Sequence, residues 1–543
     1  MAILSTKNPE MSSKLLLGVE AIGQGAIDGG ISGAYAYPGT PSTEITEYIQ
    51  INPDALKRNI HRQWSVNEKT AYEAALGMSY AGKRSIVCMK HVGLNVAADP
   101  FMNSCMTGIN GGLVVVVADD PSMHSSQNEQ DSRFYAKFGM IPVLEPSNQQ
   151  EAYDMMYDGF ELSEKLHLPV LLRITTRLAH SRSGVSRKPM KEENKLSLPE
   201  NPKQFLLLPA FARKYYQALL GKQDEMLDIS ENSSYNNFLA GPDKSLGIIC
   251  CGIAYNYLME SYVNQECPYP IVKVSQYPVP AGMIRKLDAL CDEIMVLEEG
   301  FPMVEELLTD FFGKGKKILG RLDGTLPRTG ELNPDHIAKA LGKEVKSTFQ
   351  VPPVVGNRPP ALCQGCGHQD VYYALNEAIE ELGHGRVFSD IGCYTLGALQ
   401  PYNSIDTCVD MGASVTMAKG AADAGLIPSF AVIGDSTFTH SGITGLLDCV
   451  NEESNVTIII LDNEAVAMTG GQDSGAVGKI ENICEGVGVE PGHIRLVVPL
   501  KKNHDEMVSV IREEMSYAGV SVIIARRPCI QKLARDKREK RNA

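Results

Sequence analysis

Strand-length runs of apolar and β-branched residues recur along this chain. They alternate with stretches of helical spacing and with Gly- or Pro-bearing turns. Such runs cover 34–37, 86–89, 113–118 and 168–174, then 245–251, 271–274 and 294–298, and finally 386–389, 430–433, 456–461 and 520–525. Apolar along their whole length, they read as strands covered on both faces, and strand–helix–strand spacing predicts right-handed crossovers in parallel sheets. The pattern divides in three. A basic, polar, Pro-containing stretch at 181–200 reads as one linker, and VPPVVGNRPP at 351–360 as another. The expected architecture is α/β, with three doubly wound parallel-sheet domains over 11–195, 200–345 and 350–530, then a basic tail at 531–543.

Composition narrows the function classes. At 543 residues the chain exceeds one core, and an apolar fraction of 43% with 49 glycines suits a soluble α/β enzyme. The net charge of −14 argues against general nucleic-acid binding. No apolar run is long enough to span a bilayer and the leader carries no apolar signal core, so no membrane association and a cytoplasmic location are expected. Thirteen cysteines then read as reduced thiols, available to metals or redox chemistry. Cys250, Cys251, Cys408, Cys449 and Cys484 read as core or helix positions. The basic tail (Lys532, Arg535, Lys537, Arg538, Lys540, Arg541) reads as a solvated terminus.

The most informative stretch is 430–472. A strand ends in Gly434-Asp435, a helical segment follows, and a second strand ends in Asp462-Asn463. Both polar pairs fall at carboxyl ends of neighbouring strands, where α/β sheets bind ligands. Asp435, Asn463 and the Ala465 carbonyl offer hard oxygens, which suits a Mg²⁺–diphosphate clamp; two polar strand ends capping the next helices are the plainer alternative. Cys363-x-x-Cys366 precedes Gly367-His368 at a helix start, Cys393 follows another strand, and Cys529 follows the last. Four thiols converging at strand ends suit a [4Fe–4S] cluster or Zn²⁺; a zinc site of Cys363, Cys366, His368 and Cys393 is the alternative.

These motifs carry a resemblance. GDS, about twenty-eight residues, then DN is similar to the thiamine diphosphate signature, and AMTGGQ resembles the Thr-Gly-Gly-Gln run of 2-oxoacid:ferredoxin oxidoreductases. YPGTPST, KHVGLNVAADP, ADDP followed by QNEQDSR, and CQGCGH followed by IGC resemble the same family, in particular its indolepyruvate (arylpyruvate):ferredoxin oxidoreductase alpha subunits. The resemblance covers nearly the whole chain. It implies thiamine pyrimidine-binding, transketolase C-terminal-like and thiamine diphosphate-binding domains, in that order. It assigns Glu68 to N1′ of the aminopyrimidine, with Glu73 the weaker candidate, and Thr40 to the substrate. His440 is either a substrate-facing or a structural residue. Gly367, His368, Asp390, Gly392, Gly434, Asp435, Ser436, Thr437, Asn463 and Gly470 would line the cofactor; Asp435, Asn463 and Ala465 would hold Mg²⁺; Cys363, Cys366, Cys393 and Cys529 would hold the cluster. His91, Asn95, Gln127 and Arg133 are further lining candidates, with Arg133 suited to a substrate carboxylate.

The implied reaction is oxidative decarboxylation of an aryl 2-oxoacid to an acyl thioester, with coenzyme A as co-substrate. The implied partners are a beta subunit, in an (αβ)₂ heterotetramer, and ferredoxin. Two alternatives come from other classes: a non-oxidative thiamine-dependent decarboxylase or carboligase, which needs no cluster, and a non-catalytic subunit without cofactor. One departure stands out. Family members usually continue past the Cys529 position into a ferredoxin-like module with two Cys-x₂-Cys-x₂-Cys-x₃-Cys-Pro runs, and this sequence has none. Electrons would then leave through a separate ferredoxin-like subunit docking on the basic tail.

Overall fold

Strands buried on both faces organise the computed structural model, which describes residues 13–263, 265–309, 315–345, 352–356 and 359–542. In the strand Leu113–Asp119 every residue is buried. Leu113, Val115 and Val117 feed one hydrophobic core, while Val114, Val116 and Ala118 feed another. Alternating Cβ directions produce this division, and it requires cover on each side of the sheet. The strand Val456–Asp462 repeats it, with Ile458 and Ile460 in one core and Ile459 and Leu461 in the other.

The chain divides into two units, 1–349 and 350–543. The first holds two larger sheets. One has seven strands in the order Gln276–Tyr277, Val143–Leu144, Val170–Thr175, Leu113–Asp119, Ser85–Lys90, Gly33–Ala36 and His61–Trp64. All neighbours are parallel except Gln276–Tyr277. The other runs Ile318–Leu319, Glu293–Leu297, Leu246–Cys251, Ile271–Val274 and Asn237–Leu239, the last antiparallel. Small residues let helices approach: a Cβ on Gly25 of the helix Gly18–Asp28 would fall 2.5 Å from the Tyr153 carbonyl of the helix Gln149–Leu166.

The structure adds two features to the expected division. Directly after Ile271–Val274, the strand Gln276–Tyr277 leaves its own sheet and becomes the edge of the seven-stranded one. The stretch expected as a linker is sewn down: Arg182–Ser186 pairs antiparallel with Ser13–Leu17, and Arg187 binds Asp28 at 2.6 Å. A dry ionic network joins the two large sheets. Arg173 binds Asp119 at 2.6 Å, and Arg133 binds Asp131 at 2.5 Å and Glu298 at 2.9 Å.

The second unit has one five-stranded parallel sheet in the order Val387–Ser389, Ser429–Gly434, Val456–Asp462, Val520–Arg526 and Ile494–Val497. Observed strands differ from the sequence reading by a residue or two at each end. Among the described residues no helix is long and apolar enough to cross a membrane.

Candidate active site

In the second unit the strand ends do the positioning. Gly434 lies opposite Leu461 and Asp462 opposite Arg526. Asp390, Asp435, Asp462-Asn463 and Arg526-Arg527 therefore occupy one edge of the parallel sheet. Asp435 is 2% exposed. Its Oδ1 accepts from the Ser436 amide at 2.7 Å, while its Oδ2 is buried without a hydrogen bond. Asp462 has the same asymmetry: Oδ2 accepts from Arg526 Nε at 2.6 Å, and Oδ1 is buried and bare. Burial, and then the Asp462 carboxylate, push the Asp435 carboxyl up to about 7, although the Ser436 and Glu464 amides and the Ser474 hydroxyl pull it back. Two neighbouring buried carboxyls that each keep a bare oxygen are poorly satisfied by protein alone and suited to a divalent cation. From sequence Asp462 reads only as the first half of the DN pair, with no ligand role; its part depends on strand register and on Arg526.

Asn463 stands one residue beyond. Its Oδ1 accepts from the Ala465 amide at 3.1 Å, and its Nδ2 lies 3.3 Å from His368 Nε2. Glu464 turns the chain between them with φ of 61°. His368 is buried at the start of the helix Gly367–Ala378, and burial pushes its pKa down to about 4. The ring is thus neutral near pH 7, and Nε2 accepts the Asn463 N–H.

Tyr394, also absent from the sequence reading, shapes the floor. Its ring leaves no room for a side chain at 434, where a Cβ would fall 2.5 Å away. Its hydroxyl donates to Asp390 Oδ1. Asp390 Oδ2 accepts from the Gly412 amide at 3.1 Å and the Ser414 hydroxyl at 2.5 Å. Asp390 thus holds the start of the helix Ala413–Asp423, and burial pushes its carboxyl up to about 6. Thr437 donates to the Ile391 carbonyl at 3.1 Å and Ser436 to Asp435 Oδ1 at 3.4 Å. His440 is buried in a one-turn π-helix, Phe438–Gly442, with Nδ1 2.6 Å from Ser441 Oγ. Such turns often mark functional positions in helices. Gly470 lies just beyond a 3₁₀ turn at Ala467–Thr469, with φ of 132°.

All four candidate thiols line a single cavity of about 90 Å³, together with His368, Asp462, Asn463 and Arg527. Burial pushes the Cys393 thiol up to about 12, with the neighbouring thiols of Cys366, Cys529 and Cys363 adding to it. The amide of Cys529 donates to the Asn463 carbonyl at 2.9 Å, so one backbone contact ties the thiol loop to the strand end. The thiols ring the cavity without meeting at a point: among the described residues no three His, Cys, Asp or Glu side chains gather closely enough to hold one metal ion. Cys449 and Cys484 are buried in the core, as read from sequence, whereas Cys408 is exposed. The basic tail is largely exposed, as a solvated terminus would be, but it is ordered against the turn at 464–471. It forms the helix Ile530–Asn542, from which Lys532 reaches the Glu464 carbonyl at 3.0 Å and Arg535 the Gly471 carbonyl at 2.8 Å.

In the first unit, Glu68 is the buried first residue of the helix Glu68–Tyr80, which Asn67 caps by accepting from the Thr70 amide at 2.8 Å. Its carboxyl lies over Gly93, where a Cβ would fall 2.6 Å from Oε1. Glu73 is exposed and paired with Lys69. Thr40 sits in the turn after Gly33–Ala36, its carbonyl accepting from Ser125 Oγ at 3.3 Å. Arg133 is fully buried in the ionic network, so its charge is spent there. His91 Nδ1 accepts from the Asp120 amide at 3.3 Å, and Asn95 Oδ1 accepts from Tyr135 at 2.6 Å.

Two family models match: "Pyruvate flavodoxin/ferredoxin oxidoreductase, thiamine diP-bdg" over residues 24–215, and "Thiamine pyrophosphate enzyme, C-terminal TPP binding domain" over 390–525. The chain is 40% identical to indolepyruvate oxidoreductase subunit IorA of Archaeoglobus fulgidus, over 96% of this chain and 87% of that one. The chain belongs to the indolepyruvate oxidoreductase subunit IorA family. Its Methanothermobacter thermautotrophicus relative is 39% identical over 95% of this chain and 86% of that one. Among solved structures, a 2-oxoglutarate:ferredoxin oxidoreductase from Magnetococcus marinus, with 2-oxoglutarate, coenzyme A and succinyl-CoA bound, aligns at a TM-score of 0.48 and 20% identity, covering 61% of this chain and 65% of that chain.

Proposed function

We propose that this chain is the thiamine-bearing alpha subunit of an oxidoreductase that decarboxylates aryl 2-oxoacids of the indolepyruvate type to acyl-CoA and passes the electrons to ferredoxin. The observation that carries the reading is the pair of bare buried oxygens on Asp435 and Asp462, set beside a cavity ringed by four thiols. Family membership supports the oxidoreductase class over a non-oxidative decarboxylase, which has no use for the thiols.

The residues fit the implied groups. Asp435, Asn463 and the Ala465 carbonyl would hold Mg²⁺, with the bare oxygen of Asp462 close enough to share its field. Gly434, Ser436, Thr437 and the amides at the start of Gly367–Ala378 would face a diphosphate. Cys363, Cys366, Cys393 and Cys529 would hold an iron–sulfur cluster; thiols spread round a cavity suit one thiolate per iron better than a single tetrahedral zinc. Thiamine diphosphate supplies the electron sink for decarboxylation, and the cluster a one-electron acceptor. The chain's own part is to orient and to hold protons. Glu68 presents a buried carboxyl, given room by Gly93, for proton sharing with a pyrimidine nitrogen. Tyr394 and Asp390 keep the floor rigid, and His368, neutral and accepting the Asn463 N–H at Nε2, has no proton to give through that nitrogen. Thr40 contacts the substrate. A beta subunit and an (αβ)₂ assembly complete the proposal.

Anaerobic co-purification with the partner subunit tests the reading. About four irons per alpha chain, bound thiamine diphosphate, and loss of iron with thiamine retained in Cys393→Ala are expected. Thiamine without iron would support the non-oxidative decarboxylase, and neither group would support a non-catalytic subunit.

A further inference from the structure

Three lysines are buried among the described residues: Lys90, Lys273 and Lys419. Lys273 is paired with Glu151, and Lys419 with Asp423 and Glu452. Lys90, 9% exposed, makes no ion pair among the described residues. Its Nζ donates to the Ser125 carbonyl at 2.9 Å, which leaves two of three N–H groups unused. A charge kept out of water without a counter-ion is costly, and proteins seldom retain one without a use. The nearby Asp120 acts on Lys90 only at a distance, drawing its pKa upward without forming an ion pair. The oxygens of Asp120 are taken by the Ser125 amide at 2.8 Å, Ser126 Oγ at 2.7 Å and Thr176 Oγ1 at 2.7 Å.

The position of Lys90 is specific. It ends the interior strand Ser85–Lys90, which lies between Leu113–Asp119 and Gly33–Ala36, at the same edge as Thr40. Its stem runs past Gly39, where a Cβ would sit 3.6 Å from Lys90 Cδ, and Ser125, which holds its Nζ, donates its hydroxyl to the Thr40 carbonyl at 3.3 Å. The charges of Asp120 and then Glu68 reach it, opposing the downward push of burial on its pKa. An ammonium thus stands near the two residues assigned to substrate and cofactor, with donors to spare and, among the described residues, no carboxylate in contact with it.

We infer that Lys90 binds the carboxylate of the 2-oxoacid and thereby selects 2-oxoacids for the site. The inference rests on the proposed function and on the roles given there to Thr40 and Glu68. The ion pair forms in the ground state and is spent when the carboxylate leaves as carbon dioxide. Lys90 therefore governs capture of the substrate rather than the rate of bond breaking.

The assembled holoenzyme decides this through steady-state kinetics of Lys90→Gln, which keeps a donor to Ser125 but no charge, and of Lys90→Arg, which keeps the charge. In Lys90→Gln the KM for indolepyruvate should rise about ten-fold or more, the loss of a charge-assisted contact, with kcat and the KM for coenzyme A within about two-fold of wild type. Lys90→Arg should recover most of the loss. An unchanged indolepyruvate KM in Lys90→Gln, or an equal loss in both variants, overturns the inference and leaves the function standing. A wild-type complex that turns over no 2-oxoacid overturns both.

Discussion

At the residue scale, the site depends on unsatisfied carboxyl oxygens. Asp435 is an ordinary carboxyl made expensive by burial and by the nearby Asp462, and each of the two keeps one bare oxygen. Removing one should therefore weaken the holoenzyme while sparing the apo chain. Asp435→Asn is expected to lower Mg²⁺-dependent thiamine diphosphate affinity by about 100-fold or more, since even outer partners of metal sites are worth ~10–100-fold. The melting temperature of the apo chain should stay level or rise, because a like-charge pair is relieved. Isothermal titration and thermal unfolding check the two halves; a fall in apo stability with affinity intact would make Asp435 structural. The GDS and DN signatures were legible because they are local. The bare oxygen of Asp462 and the part of Tyr394 were not, because they are set by partners distant in sequence: Arg526 across a strand pair, and Gly434 and Asp390 against one ring. Arg133 misled for the converse reason. An arginine in a polar loop reads as available, and only the fold shows its charge spent on Asp131 and Glu298.

At the element scale, most strands were readable from their apolar runs, while their partners were not. The short strand Gln276–Tyr277 carries no signal that it will change sheets. The tail shows a similar limit. Its basic composition suggested a solvated end or a docking site, and most of its side chains are exposed, yet Lys532 and Arg535 bind carbonyls of the 464–471 turn. That turn also carries the Ala465 carbonyl and Gly470. The helix Ile530–Asn542 therefore acts as a strap over the turn. Replacing both residues, as Lys532→Ala with Arg535→Ala, should raise the thiamine diphosphate concentration for half-maximal activity a few-fold, in keeping with hydrogen bonds worth about 1 kcal/mol each and partly screened by water. The KM for ferredoxin should not change. A higher ferredoxin KM with cofactor affinity unchanged would restore the tail to the docking role the sequence suggested.

At the scale of the whole molecule, the alternation of strands and helices made the α/β class plain, and the family resemblance supplied what the sheets are for. The ionic network in the first unit was not readable. It gathers charges from 119 to 321, including Arg321 on Glu299 at 3.1 Å, and no local pattern marks charged residues destined for burial. What the molecule does as a whole is best tested by mixing the assembled complex anaerobically with indolepyruvate, coenzyme A and oxidised ferredoxin, and counting products. Two ferredoxins reduced for each acyl-CoA formed, with no reduction when coenzyme A or the 2-oxoacid is omitted, is the expected result. Release of the aldehyde with ferredoxin left oxidised would contradict the account, because the four thiols round the cavity would then carry no electrons.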